Sequence, residues 1–316
     1  MAVKVARRRI ESVCPECTVL LYHVRQVGAD HYMPELMTAK ERSTVQLTTD
    51  RGHQLLAFAD DSITSEIRDL GLYDQWTLLA IEHLLNAINA DICLDVGANI
   101  GNHAVVMAQH CRQLHAFEPV PFIFDVLKQN LKHNSSNAIA HNVALSELGG
   151  VSRISVDGGG NLGKSTMLSA AAGAELIDIT AERGDDCIAE ISGSIDFIKI
   201  DVEGFEPRVI QGLQQTIQKH QPILLLEWNS EQTKHGFVDA DLFSVPLQGY
   251  QYHSLTHRRS KQVSGRGLKG AVKRALVKAS NSNNWCLHTF DAALSYPNVL
   301  MFPQKWQSLA AALPAA

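Results

Sequence analysis

Asp95, Gly97, Asn99 and Gly101 make up the run D-x-G-x-N-x-G, a carboxylate followed closely by two glycines. The run joins an apolar strand-like stretch, residues 92–96, to a helical pattern over 102–110 in which Ala104, Val105, Met107 and Ala108 supply apolar positions. Glycine lets such a turn take positive φ and lets a ligand approach bare backbone. The dinucleotide fingerprint G-x-G-x-x-G, counted from Gly97, needs glycines at 99 and 102, and both are asparagine here. A carboxylate with only two glycines instead suits a cofactor that carries an ammonium group and no diphosphate, which describes S-adenosylmethionine. Glu118 closes the next strand-like run, 114–118, where a carboxylate can accept both hydroxyls of a ribose.

A second set of carboxylates suits acid–base work. Asp201 ends the strand-like stretch 196–201, with Glu203 two residues on and Gly204 allowing a sharp turn; Glu227 ends the stretch 222–227. A sugar hydroxyl is a poor nucleophile until its proton is removed, and Asp201 is the first candidate for the general base, with Glu203 and Glu227 beside it. Three carboxylates could alternatively hold a hard divalent cation, although no metal is assigned. Lys199 reads as structural, a buried cation that needs Glu227 or Asp201 as its partner. Residues 158–165, GGGNLGKS, match the phosphate-binding pattern G-x-x-x-x-G-K-[ST] and include Lys164. That loop wants a buried strand before it. Ser152, Arg153, Ser155 and Asp157 make the preceding stretch amphipathic, so a hairpin tip is the better expectation and a P-loop hydrolase or kinase the alternative.

These residues must be positioned by repeated strand–helix units. Residues 63–90 read as helical; from 91 onward strands are expected at 92–96, 114–118, 138–144, 196–201 and 222–227, with helices over 122–133 and 206–219. Short apolar strands alternating with helices predict a parallel sheet covered on both faces. Right-handed crossovers then bring Asp95, Glu118, Asn142, Asp201 and Glu227 to one edge of it. A sixth strand is expected at 250–256 and a seventh at 298–302, with a hairpin inserted over 150–180.

The succession LDVGANIGNHA (94–104), HAFEPVP (115–121), NVALSELGG (142–150), DFIKIDVEGFEPRVIQG (196–212) and PILLLEWN (222–229) resembles the FkbM family of methyltransferases. The resemblance covers roughly residues 70–230. It implies a class I methyltransferase (Rossmann-like) fold, α/β with a seven-stranded, mostly parallel sheet and helices on both faces, and S-adenosylmethionine-dependent O-methylation, commonly of sugars or natural products. It further implies that Asp95, Gly97, Asn99 and Gly101 hold the methionine part, Glu118 the ribose, and Asn142 with the Val143 backbone the adenine edge. The acceptor is not fixed by family membership. A binding module that keeps the fold without turnover is the remaining alternative.

Composition sets the outer bounds. The chain has 316 residues, 45% of them hydrophobic, with no apolar run long enough to span a bilayer. The division expected is an N-terminal extension over 1–50, a methyltransferase domain over 51–308 with insertions near 150–180 and 256–292, and a tail over 309–316. Six cysteines without disulfide-like spacing suit a cytoplasmic protein, and the lone pair Cys14 and Cys17 is assigned no role. The net charge of −5 hides an asymmetry, because residues 251–290 hold 8 of the 28 basic residues and no Asp or Glu, leaving 20 basic against all 33 acidic residues elsewhere. Within this basic insertion Leu268, Val272, Ala275, Leu276 and Ala279 fall on one helical face with lysines beside them. A cationic cover suits a small-molecule or glycan acceptor that is anionic, or peripheral membrane contact through residues 258–278. Nucleic acid is not expected, since no aromatic residue is interleaved with these charges before Trp285.

Overall fold

The computed structural model describes residues 42–156, 175–257 and 285–315. The Cys14–Cys17 pair, the glycine-rich stretch 158–165 and the basic stretch 258–278 lie outside them. The described residues belong to one compact unit that begins at Arg42. It opens with a hairpin, β1 (Thr44–Thr48) and β2 (Gln54–Phe58), whose strands pair across the boundary expected at residue 50.

Two helices follow where one continuous helical stretch was expected: α1 (Ser62–Leu70) and α2 (Gln75–Ile88). Gly71 separates them, taking φ +82° as the left-handed cap that ends α1. From there the strand–helix rhythm sets in with β3 (Ile92–Val96), α3 (Asn102–Ala108), β4 (Gln113–Phe117), α4 (Pro121–Asn134) and β5 (Ala138–His141). The strand expected over 138–144 stops there. Asn142 turns its side-chain amide back to donate to the carbonyls of Glu118 (2.9 Å) and Pro119 (3.0 Å), and the chain leaves the sheet. It then forms a separate three-stranded sheet in the order β6 (Ala144–Ser146), β8 (Glu175–Arg183), β7 (Gly150–Val156), in which β7 and β8 pair antiparallel as the expected hairpin. The strand before residues 158–165 thus belongs to this small sheet rather than to a buried parallel one, which is poor ground for a phosphate-binding loop.

The rest of the central sheet comes from β9 (Ile195–Ile200), β10 (Ile223–Trp228), β11 (Gln251–His257), β12 (Trp285–Thr289) and β13 (Tyr296–Phe302). Between β8 and β9 lies the short helix α5 (Gly184–Cys187); α6 (Glu206–Gly212), α7 (Gln214–His220) and α8 (Glu231–Asp239) follow β9 and β10. Helix was expected without interruption over 206–219. The break falls at Leu213, where the Asp185 carboxylate accepts the N–H groups of Gln215 (3.0 Å) and Thr216 (2.9 Å) and caps α7 anew.

The strand order is β12-β11-β13-β10-β9-β3-β4-β5, with β10, β9, β3, β4 and β5 parallel and β13 antiparallel to β10. The seven expected strands stand in the order of a class I methyltransferase. An eighth, β12, extends the edge from inside the stretch expected to be insertion, 256–292. The tail is anchored as well: α9 (Gln307–Ala312) precedes a bridge from Ala315 to Leu287. Parallel strands buried on both faces read as continuous apolar runs, and Ile223 to Leu226 are all fully buried. Alternate residues feed two cores. Cys93, Phe197 and Leu225 pack with α2, α3 and α4, whereas Leu94, Ile198 and Leu224 pack with α6, α7 and α8. Among the described residues no helix is long and apolar enough to cross a membrane.

Candidate functional site

Every crossover returns to the same edge, so the ends of β3, β4, β9 and β10 lie together. Gly97 leaves β3 at φ +79°, and its N–H and that of Ala98 both donate to the Phe117 carbonyl, at 3.0 and 2.9 Å. A Cβ on Gly97 would stand 1.9 Å from the Asp201 carbonyl oxygen, so only glycine fits between the two turns. Asn99 is also left-handed (φ 51°), and Gly101 (φ +92°) starts α3 where a Cβ would meet Leu127 Cδ1 at 2.8 Å. The turn is therefore a bare-backbone cradle, as its residue types require.

A cleft of about 610 Å³ opens over this turn, lined by Gly97, Asn99, Glu118, Val143, Asp201 and Glu203 among others, with Phe117, Ile123, Leu145 and Phe205 as apolar walls. Glu118 Oε2 accepts the Asn99 N–H (3.1 Å) and Oε1 accepts the Val120 N–H (2.9 Å). Burial raises this carboxyl to a pKa of about 7, helped by the nearby Asp95 charge and opposed by the two N–H donors. Of the residues expected to hold a cofactor, Gly97, Asn99, Glu118 and Val143 line the cleft. Asp95, Gly101 and Asn142 stand behind it: Asp95 is fully buried, Gly101 starts the helix, and Asn142 ties the end of β5 to the end of β4.

Asp95 and Lys199 are direct partners in the β3–β9 register and so share a face. Lys199 Nζ lies 3.3 Å from Asp95 Oδ1 and 3.2 Å from Asp201 Oδ2. Burial disfavours the ammonium, but these two carboxylates outweigh it and raise the lysine above its ordinary pKa. Beyond Asp201 the chain turns sharply through Glu203 (φ 52°) and Gly204 (φ +95°). The buried Glu206 holds that turn. Its Oε1 accepts the N–H groups of Val202 (3.1 Å) and Gly204 (3.2 Å), and its Oε2 accepts the Thr233 hydroxyl (2.6 Å).

Glu227 sits where the pairing of β10 with β13 shifts register, between Leu226 and Trp228, opposite Pro297 and Asn298. Proline cannot donate to the ladder, which suits it to such an irregularity. Burial, together with the charges of Asp201, Glu203 and Glu206, raises the Glu227 carboxyl to about 9. Oxygens of Asp201, Glu203 and Glu227 lie within 4.8 Å of one another, so the three carboxylates expected from the sequence do meet.

A second cavity, about 640 Å³, adjoins the first and shares Asp201 with it. It is lined by Glu66, Tyr73, Asp74, His103, Lys199, Asp201, Glu227, Pro297 and Asn298. Sequence reading missed Glu66, Tyr73, Asp74, His103 and Asn298. Asp74 and His103 lie on either side of β3 in the sequence, and the packing of α2 on α3 brings them together; the left-handed Asp74 (φ 48°) is invisible without the backbone.

Residues 95–252, half of the chain, match the Methyltransferase FkbM domain. The chain belongs to the FkbM methyltransferase family. A relative named hexuronic acid methyltransferase AglP, from Haloferax volcanii, is 32% identical over 156 residues, which cover 48% of this chain and 61% of that protein. The chain thus spans about three fifths of the length of that curated relative. A crystal structure of methyltransferase FkbM from Methylobacillus flagellatus shares 18% identity, with a TM-score of 0.40 over 68% of this chain and 44% of that one. An O-methyltransferase from Bacillus cereus in complex with SAH gives 9% identity and a TM-score of 0.40 over 72% of this chain and 80% of its own. The ground for the fold of this FkbM-family chain is accordingly its strand order. The FkbM match takes in Glu118, His103, Asp201 and Glu227 but leaves out Glu66, Tyr73, Asp74 and Asn298, so one wall of the second cavity comes from outside the family domain.

Proposed function

We propose that this FkbM-family protein is an S-adenosylmethionine-dependent methyltransferase that O-methylates a hydroxyl of a carbohydrate or related small molecule. The observation that carries the reading is the pair of cavities meeting at Asp201, one with Phe117, Ile123, Leu145 and Phe205 as apolar walls and Glu118 among its polar groups, the other lined mostly by polar and charged side chains. The first suits a nucleoside, in which Val143 and Phe205 would flank a base, Glu118 would accept ribose hydroxyls, and the Gly97–Gly101 backbone would admit the amino-acid part. Bound there, the cofactor supplies a sulfonium methyl group. The second cavity offers several carboxylates and a tyrosine, which are hydrogen-bond partners for a polyhydroxyl acceptor. Asp201, common to both, would orient the acceptor, with Glu203 and Glu227 beside it.

The relative's name favours a hexuronic acid as the acceptor class. Lys199 is the buried cation of the second cavity and is already paired, so an acceptor carboxylate would draw its countercharge from the basic segment that follows β11. That strand runs parallel to β10, and its C-terminal end therefore lies at the cofactor edge. Cys93, Cys111, Cys187 and Cys286 are free thiols, which supports the proposal of a cytoplasmic, reducing setting. The test is release of S-adenosylhomocysteine when the full chain meets methyl glucuronosides, methyl galacturonosides and the matching neutral hexosides. A methylated product identified by mass spectrometry supports the proposal; binding of the cofactor with no methyl transfer to any of them contradicts it.

A further inference from the structure

We infer that His103, backed by Asp74, is the general base that takes the proton from the acceptor hydroxyl, an assignment that rests on the proposed methyl transfer. His103 Nε2 stands 3.2 Å from Asp74 Oδ2, and both residues line the polar cavity. A carboxylate only accepts hydrogen bonds, so the imidazole carries its proton on Nε2 and keeps Nδ1 as the lone-pair nitrogen. Nδ1 has no partner among the described residues.

The dyad is held from several sides. Asp74 Oδ1 accepts the Thr77 hydroxyl (2.9 Å), and Thr77 Oγ1 accepts from Asn298 Nδ2 (2.9 Å) on β13 across the cavity. The Asp74 N–H donates to Glu66 Oε1 (3.1 Å), while Asn102 Nδ2 donates to the Tyr73 carbonyl (3.2 Å). These bonds fix a left-handed, non-glycine backbone at Asp74, a conformation that persists where surrounding structure over-determines it. His103 itself is the second residue of α3, which starts at the glycine turn under the proposed cofactor site, so one rigid helix start sets both the turn and the imidazole.

The neighbouring carboxylates suit the role less well. Asp201 Oδ2 is occupied by Lys199 at 3.2 Å, and Glu227 is kept protonated at neutral pH by burial and like charge, which makes it a donor. In the step inferred, the acceptor oxygen forms a bond to the methyl carbon as the carbon–sulfur bond breaks, and the electron pair of that bond remains on sulfur as a neutral thioether. The hydroxyl proton passes to His103 Nδ1. Asp74 balances the imidazolium until the proton leaves to solvent.

The experiment compares wild type with His103→Gln and Asp74→Asn in turnover of the hexuronoside and hexoside panel over pH 5–9. The charged and titratable groups facing the imidazole are Glu66 from α1, Tyr73 and Asp74 before α2, Lys199 and Asp201 from the end of β9, and Glu227 from β10. His103→Gln should lower kcat on the order of 10²–10⁴-fold, the range for a positioned base, and erase the acidic limb of the pH profile, with cofactor Kd and acceptor KM little changed. Asp74→Asn leaves the imidazole without its counter-ion and should lower kcat by a smaller factor, again with cofactor Kd little changed. Wild-type turnover with both variants within threefold and the same pH profile would overturn the base assignment and leave the proposed function standing. A wild type that transfers no methyl group would instead overturn the proposed function, and the base with it.

Discussion

At the scale of single residues, the site is a set of charges held by one another. Asp95 has no exposed surface, and the cation facing it is Lys199, so removing the ammonium strands a buried carboxylate. Breaking such a pair from one side costs roughly 3–5 kcal/mol. Lys199→Ala should therefore lower the unfolding free energy obtained from urea titration by that amount, whereas an exposed pair such as Arg153–Asp178 should contribute under ~1 kcal/mol when broken. Glu118 gives the clearest pH signature. With a folded-state pKa of about 7 against an ordinary value of 4.5, it binds a proton in the folded state that the unfolded state has released between those values. Its contribution to stability thus falls as pH rises from 4.5 to 7. In the proposed cofactor site ribose hydroxyls would donate to the ionised form, so cofactor affinity should rise with pH up to about 7 and level off above it; Glu118→Gln should flatten that dependence in titration calorimetry. The type and spacing of Glu118, Lys199, Asp201 and Glu227 were legible in the sequence because each follows or interrupts an apolar run at a strand end. Asp74 and His103 were not, since their partnership is made by packing between helices and leaves no spacing to read.

At the scale of elements, the sequence is clearest where period and glycine agree. The parallel strands β3, β4, β9 and β10 were expected within a residue or two, because β-branched and leucine runs bounded by polar strand ends admit little else. Boundaries failed where a side chain intervened. Asn142 ends β5 through two backbone carbonyls, and Asp185 restarts a helix from 30 residues away, at Gln215. Neither bond is local, so neither appears in a periodicity. The Gly97 turn is the element whose geometry is most constrained. Gly97→Ala would bring a methyl group against the Asp201 carbonyl and would force an alanine to φ +79°, itself a cost of roughly 1–2 kcal/mol. The variant should show a lowered melting temperature together with lost cofactor binding; an unchanged Kd would mean that the turn does not meet the cofactor.

At the scale of the whole molecule, the sheet order and the doubly covered core follow from the alternation of strands and helices, and the antiparallel β13 from its place as the last expected strand. The edge strand β12 was hidden by its surroundings, because Trp285, Cys286 and Leu287 follow a long basic, polar stretch that reads as insertion. Charge is distributed at this scale too. The described wall of the second cavity is rich in carboxylates, and the basic stretch is the chain's concentrated source of positive charge. Replacing Lys269, Lys273 and Lys278 together by Gln should raise the KM for a hexuronoside severalfold, leave that for a neutral hexoside in place, and leave cofactor affinity intact; equal KM values for all would sink the role of this segment in recognising anions. The central claim is the cofactor, and the most direct measurement is calorimetric titration of the full chain with S-adenosylmethionine and S-adenosylhomocysteine, with ATP as control. The account predicts micromolar binding of the first two, lost in Glu118→Ala, and none of ATP. Binding of ATP that depends on Lys164, with neither S-adenosyl compound bound, would contradict it.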